Sequence, residues 1–257
     1  MSSDTLFAGV RLLDPVSGLD QHGDLLVRDG RIADFGPGLG RPDGAAVVVE
    51  DGAILCPGLV DMRAALGEPG YEYRETIASA AAAAAAGGIT TLAALPDTLP
   101  AIDDPALVRL LRARGEETGS LTILPYGAVT AGCRGEELAE LGLLAEAGAV
   151  AFTDGGRAIR STRLMRLALS YARGFAACIV QHPEDPSLAE GGSATEGELA
   201  SRLGLPGIPA AAEAILVARD IQLAALTGGA LHFAHVTTAQ ALSLIRQAKA
   251  DGLAVTC

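Results

Sequence analysis

The sequence predicts an α/β fold: a parallel sheet, open or closed into a barrel, behind a small β-module. Three observations carry this. From residue 54 onward, short apolar runs alternate with helical stretches. Those runs are apolar throughout, as strands covered on both faces are. Before residue 54, Asp-Gly pairs punctuate β-branched and aliphatic runs, a hairpin signal. With 257 residues the chain has room for one to two domains, and a βα-barrel of about 250 residues would fill it.

The elements follow in order. Leu25-Leu26-Val27, Asp29-Gly30 and Arg31-Ile32 read as strand, turn and strand, and residues 46–50 before Asp51-Gly52 as a further strand. Residues 1–53 are therefore expected to form the β-module, and 54–257 a partial barrel. Strands are expected over 54–61, 89–95, 121–126, 149–153, 177–182 and 231–236. Helices are expected over 77–86, 105–117, 136–147, 162–173, 210–227 and 238–251. Gly87-Gly88 and Gly252 supply helix stops. The alanine run 80–86 suits a tightly packed helix. Residues 183–209, rich in Gly and Pro, are read as an ordered loop on the side of the active site. Leu253–Cys257 resembles the start of a seventh strand, so the barrel is expected to stop after about six βα units. The chain is then a fragment of a longer protein, or another chain covers the gap.

Composition excludes several classes. Hydrophobic residues make up 49% and charged residues 19%, which suits a globular chain. Aromatics are 4% and Trp is absent, so the core is built from small and aliphatic side chains. The net charge is −12, with Lys249 the only lysine and no basic stripe, which argues against nucleic acid. Cys56, Cys133, Cys178 and Cys257 form no CxxC pair, which excludes a zinc ribbon and disfavours a disulfide framework. Residues 1–10 do not read as a signal peptide, and no apolar stretch is long enough to span a membrane. A reducing cytoplasm is the expected setting. Neither a P-loop, a GxSxG elbow nor an HExxH motif occurs.

In a parallel barrel, active sites gather at the C-terminal ends of the strands. The polar residues expected there are Asp61, Asp97, Asp154, His182 and His235. Asp154, His182 and His235 end three successive strands, and a carboxylate converging with two imidazoles is a donor set for a metal. Each alone equally suits a structural role. Alternation puts Leu231, Phe233 and His235 on one face of their strand and His232 on the other. His232 and His22 are read as structural.

Several segments together resemble the dihydroorotases of the amidohydrolase superfamily. They are Pro57-Gly58-Leu59-Val60-Asp61-Met62, Glu68-Pro69-Gly70, Glu72-Tyr73-Arg74-Glu75-Thr76, Ala84-Ala85-Ala86-Gly87-Gly88-Ile89-Thr90-Thr91 and Leu95-Pro96-Asp97-Thr98. Further along come Gly148-Ala149-Val150-Ala151-Phe152-Thr153-Asp154, His182-Pro183-Glu184-Asp185, Leu205-Pro206-Gly207-Ile208-Pro209 with Glu213, and Leu231-His232-Phe233-Ala234-His235-Val236-Thr237-Thr238. The resemblance implies a metal-dependent-hydrolase-type (β/α)8 TIM barrel with a small N-terminal β-sandwich module. It implies reversible hydrolysis of dihydroorotate to carbamoyl aspartate in pyrimidine biosynthesis, with one or two zinc ions activating water.

The chain departs from the family pattern Asp-x-His-x-His-x-Arg-Glu-Pro-Gly. Arg63 and Ala65 stand where the pattern has metal-binding histidines, and Gly67 where it has the substrate-binding arginine. Asp97 stands at the substrate-contacting asparagine and would repel a carboxylate. Asp154, His182 and His235 survive as ligands for at most one zinc, with Asp154 at the bridging position. Arg63 offers only donors and cannot ligate a cation; it is expected either to pair with Asp154 and supply the charge of a metal, or to be a surface or loop arginine. The family's general-base aspartate falls beyond Cys257. Two readings follow: a dihydroorotase-like cyclic amidohydrolase with weak or no activity, or a non-catalytic dihydroorotase-like subunit that partners aspartate carbamoyltransferase. Either could self-associate as a homo-oligomer.

Overall fold

A computed structural model describes residues 4–49 and 52–257. The chain divides into two compact units, Met1–Leu59 and Val60–Cys257.

In the first unit, β1 (Thr5–Asp14), β2 (Leu19–Arg28), β3 (Arg31–Gly36), β4 (Ala46–Val49) and β5 (Ile54–Leu55) make one five-stranded sheet of order β3-β2-β1-β4. β1–β2 and β2–β3 are antiparallel, and β4 and β5 both run parallel to β1 along its other edge. The described residues thus form a single sheet where a sandwich was expected. Residue 50, at the end of the expected 46–50 strand, and Asp51 of the Asp51-Gly52 turn lie outside the described residues. Asp29 and Gly30, both at positive φ, turn β2 into β3 where the Asp-Gly signal placed a hairpin.

The second unit alternates strand and helix: β6 (Leu59–Ala64), α1 (Ile77–Ala86), β7 (Ile89–Ala94), α2 (Pro105–Glu117), β8 (Thr122–Pro125), α3 (Leu141–Ala147), α4 (Thr162–Arg173) and β9 (Cys178–Gln181). A connection follows with α5 (Pro186–Ala189), β10 (Ala194–Thr195), α6 (Glu198–Leu203) and β11 (Gly207–Ile208). Then come α7 (Ala211–Thr227), β12 (Ala230–Phe233), α8 (Ala239–Ala250) and β13 (Val255–Thr256). The strand order β6-β7-β8 continues through bridges Gly127–Phe152 and Phe152–Ile179 into β9-β12-β13. The connections from β7 to β8, β8 to Phe152, Phe152 to β9, β9 to β12 and β12 to β13 are all parallel. β6 and β13 are the two ends of this path.

Inward and outward side chains alternate along the strands, as a pleated sheet requires. Leu92, Ala94, Ile123, Phe152, Ile179, Leu231 and Phe233 join the large core that the helices cover. Ala93, Tyr126, Ala151, Val180 and Ala234 form a second, smaller cluster on the other face. Leu95 belongs to the same cluster, and Tyr126 Oη donates to the Met62 carbonyl at 2.9 Å. The alanine-rich α1 turns Ile77, Ala81 and Ala84 inward, a stripe of period i, i+4, i+7, and a Thr76–Ser79 capping box starts it. Asp104, Ser161 and Thr238 cap α2, α4 and α8.

Three expected elements differ. The strand expected over 54–61 is two: Ile54–Leu55 pairs with β1, and β6 starts at Leu59. Pro57 lies between them, with no N–H for a ladder. The division between units accordingly follows Leu59, not residue 53. The helix expected over 136–147 begins at Leu141, because residues 137–139 run antiparallel to 129–131: Ala131 N donates to Glu137 O (3.0 Å) and Ala139 N to Val129 O (2.9 Å). The strand expected over 149–153 is reduced to Phe152 bridged on both sides. Among the described residues, no helix is long and apolar enough to cross a membrane.

Candidate functional site

The C-terminal ends of the strands in the second unit carry the sequence-predicted residues. His182 follows β9, and His235 lies two residues past β12 in a turn at φ 43°. That turn breaks the strand alternation and re-aims His235, so that the two Nδ1 atoms stand 3.3 Å apart with ring centroids at 4.9 Å. His232 stays on the strand, its Nδ1 2.8 Å from Thr256 Oγ1.

The turn is held by Glu213 of α7, which is buried. Its Oε1 accepts from Thr237 N (2.7 Å) and Thr237 Oγ1 (3.1 Å), and its Oε2 from Thr238 N (2.8 Å) and the Thr238 hydroxyl. One carboxylate thus satisfies four donors at the start of α8, where backbone N–H groups otherwise lack partners.

Asp154 is also buried and is likewise committed to backbone. Its Oδ1 accepts from Val129 N (3.0 Å) and Thr130 N (2.9 Å), and its Oδ2 from Thr130 Oγ1 (2.6 Å). Thr130 Oγ1 in turn accepts from Gly135 N at 2.8 Å. Burial raises the Asp154 carboxyl above its usual range, opposed by these hydrogen bonds and by Arg157. The structure therefore brings His182 and His235 together but directs Asp154 to the 129–135 loop.

Arg63, on β6, does not pair with Asp154 as expected. Its Nη2 donates to the carbonyl of the next residue, Gly155, at 3.1 Å. Its Nη1 is buried and, among the described residues, meets no acceptor. Burial disfavours the charged guanidinium, and Asp97 is the charge that most opposes this. Asp97 lines a 370 Å³ cavity with Ala65, Tyr71, Arg74 and Arg157, away from the histidine pair.

Burial favours the neutral form of both imidazoles. Burial depresses His182, with Glu184 opposing and Arg63 reinforcing. Burial, then Arg63 and His182, press His235 down to about 4.

This donor set does not fit zinc. Among the described residues, no three His, Cys, Asp or Glu side chains form a metal-binding group. A tetrahedral site needs at least three protein ligands. Here the carboxylate is occupied by three donors, and a permanent cation stands in the electrostatic range of both histidines.

Sequence reasoning did not single out Arg134, Arg157 and Arg160. They line a 480 Å³ cavity with Asp154, His182 and Glu184. Arginines falling just past the third and fourth strands were the available signal.

Solved hydantoinases share this architecture. L-hydantoinase (dihydropyrimidinase) from Arthrobacter aurescens superposes with a TM-score of 0.80 at 21% identity, covering 100% of this chain and 58% of that one. A D-hydantoinase gives 0.70 at 22% identity, with 98% and 56% covered. The chain thus shares the α/β fold of these hydantoinases. The dihydro-orotase-like family model matches residues 52–241. A dihydroorotase of Pelobacter propionicus is 48% identical over 247 residues, covering 96% of this chain and 58% of the relative. One from Geobacter sulfurreducens is 46% identical over 252 residues, covering 98% and 59%. The chain belongs to the dihydroorotase family, and it spans a little under three-fifths of the length of these curated relatives.

Proposed function

We propose that the protein acts in pyrimidine biosynthesis as a dihydroorotase-like protein whose hydrolysis of the cyclic amide is weak or lost. The observation that carries this reading is Arg63: a donor-only cation on β6 with a buried, unpartnered Nη1 and a field felt by both histidines. Cyclic-amide hydrolysis needs an activated water and stabilisation of the oxyanion that forms. Arg63 could donate to an oxyanion but cannot take a proton from water. Burial favours the neutral form of His182 and His235, which could accept one.

A family fold with Arg63 and Ala65 in place of the strand-one histidines favours a role as a subunit, and aspartate carbamoyltransferase is the partner the family resemblance suggests. The test is an assay of full-length protein for dihydroorotate hydrolysis and for the reverse cyclisation. Turnover abolished by His182→Ala and His235→Ala would refute the reading. Co-purification with aspartate carbamoyltransferase without turnover supports it.

A further inference from the structure

We infer that the cavity lined by Arg134, Arg157 and Arg160 is a binding site for a small molecule bearing a phosphate-type dianion. This is independent of whether the protein hydrolyses cyclic amides.

The first ground is charge. The chain carries −12 overall, so a surface chosen at random repels anions. Yet three arginines line one cavity, and among the described residues none of them makes an ion pair. Two carboxylates also line it. Asp154 accepts three hydrogen bonds from Val129 and Thr130. Glu184 Oε1 lies 3.7 Å from His182 Nε2. Three arginines against two carboxylates leave the lining with a net positive charge.

The second ground is construction. Arg134 sits on the loop that Asp154 holds, where Gly132 N also donates to Asp103 Oδ2 at 2.7 Å. Arg157 and Arg160 sit on the loop after Phe152, and a separate buried network holds that loop. Gln181 Oε1 accepts from Ile159 N (3.1 Å), and Gln181 Nε2 donates to Asp220 Oδ2 (2.9 Å). Asp220 Oδ1 accepts from Arg219 Nε (2.7 Å), and Arg219 donates to the carbonyls of Ile159 (2.8 Å) and Arg160 (2.7 Å). Gln181 and Asp220 are both fully buried. Two buried carboxylates, Asp154 and Asp220, thus fix the two loops that bring the arginines to one place. Such support is what keeps a binding site in a single geometry.

The third ground is shape. A volume of 480 Å³ falls within the range of small-molecule sites. Guanidinium forks recognise carboxylate and phosphate oxygens bidentately. Three forks arriving from two loops suit a tetrahedral group with three free oxygens better than a planar carboxylate with one edge.

The experiment is calorimetric titration of the full-length protein with inorganic phosphate, pyrophosphate and succinate, at ionic strength held constant with sodium chloride. Saturable binding of phosphate and pyrophosphate, weaker for succinate, is expected. The Arg134→Gln/Arg160→Gln double variant, whose side chains make no hydrogen bond within the described residues, should weaken binding at least about tenfold. Arg166→Gln, the same charge change on the exposed face of α4, should leave it unchanged. Absence of saturable binding to native protein, succinate binding as tightly as phosphate, or an equal loss in Arg166→Gln would each overturn the inference.

Discussion

Thr130 Oγ1 donates to Asp154 Oδ2 at 2.6 Å, while Asp154 Oδ1 receives the backbone N–H groups of Val129 and Thr130. A carboxylate at the end of a barrel strand, in the place a metal ligand would take, is spent on holding the neighbouring loop. Asp154→Ala would leave two buried backbone donors without partners, at about 1–3 kcal/mol each. Urea unfolding should show a loss of about 2–4 kcal/mol, and Asp154→Asn, which keeps an acceptor at Oδ1, a smaller loss. Equal, negligible effects of both would contradict this role.

Glu213 and Thr238 form the second such device. Thr238 caps α8 through Ala241 N, and its own N–H and hydroxyl go to Glu213. Thr238→Ala should destabilise by about 1–2 kcal/mol. Glu213→Gln should cost more than a surface substitution, and the two changes should not add in a double-mutant cycle. Additivity would mean that they act separately.

The cysteines divide by burial. Burial pushes the Cys133 thiol up to about 12 and the Cys178 thiol up to about 11. The thiolate is the reactive form, so at pH 8 both remain protonated. Cys56 and Cys257 are exposed. Native alkylation at pH 8 should modify the exposed pair and spare Cys133 and Cys178 until denaturant is added.

His235 carries the pH dependence. Its pKa falls from the ordinary 6.5 to about 4, through burial first and Arg63 second. Between those values the unfolded chain binds a proton that the folded chain does not. Stability from this group is therefore complete above pH 6.5 and declines as pH falls towards 4. Histidine ring NMR should show His235 titrating below the usual range, and Arg63→Gln should move its midpoint up. A midpoint unmoved by Arg63→Gln would separate the guanidinium from the histidine pair.

Much of the fold was legible because local signals agreed with it. Helices α1, α2, α4 and α8 follow their apolar positions and their side-chain N-caps, and α7 forms over the expected span without one. The failures have particular causes. Pro57 divided an apolar run between two sheets, and residues 137–139 found partners on 129–131 before they could begin a helix. The proximity of His182 and His235 was anticipated from their strand ends, but not the φ 43° turn that produces it. The direction of Asp154 was not legible: a carboxylate at a strand end reads the same whether it faces the barrel opening or a neighbouring loop. Arg63 was recognised as anomalous, but its partner, the carbonyl of Gly155, depends on backbone that no side-chain pattern encodes.

The most direct test of an arginine-based rather than metal-based barrel opening is the metal content of full-length protein purified without chelator. Elemental analysis should find zinc well below one ion per chain, at a level that His182→Ala and His235→Ala leave unchanged. One zinc per chain, lost from both variants, would contradict it.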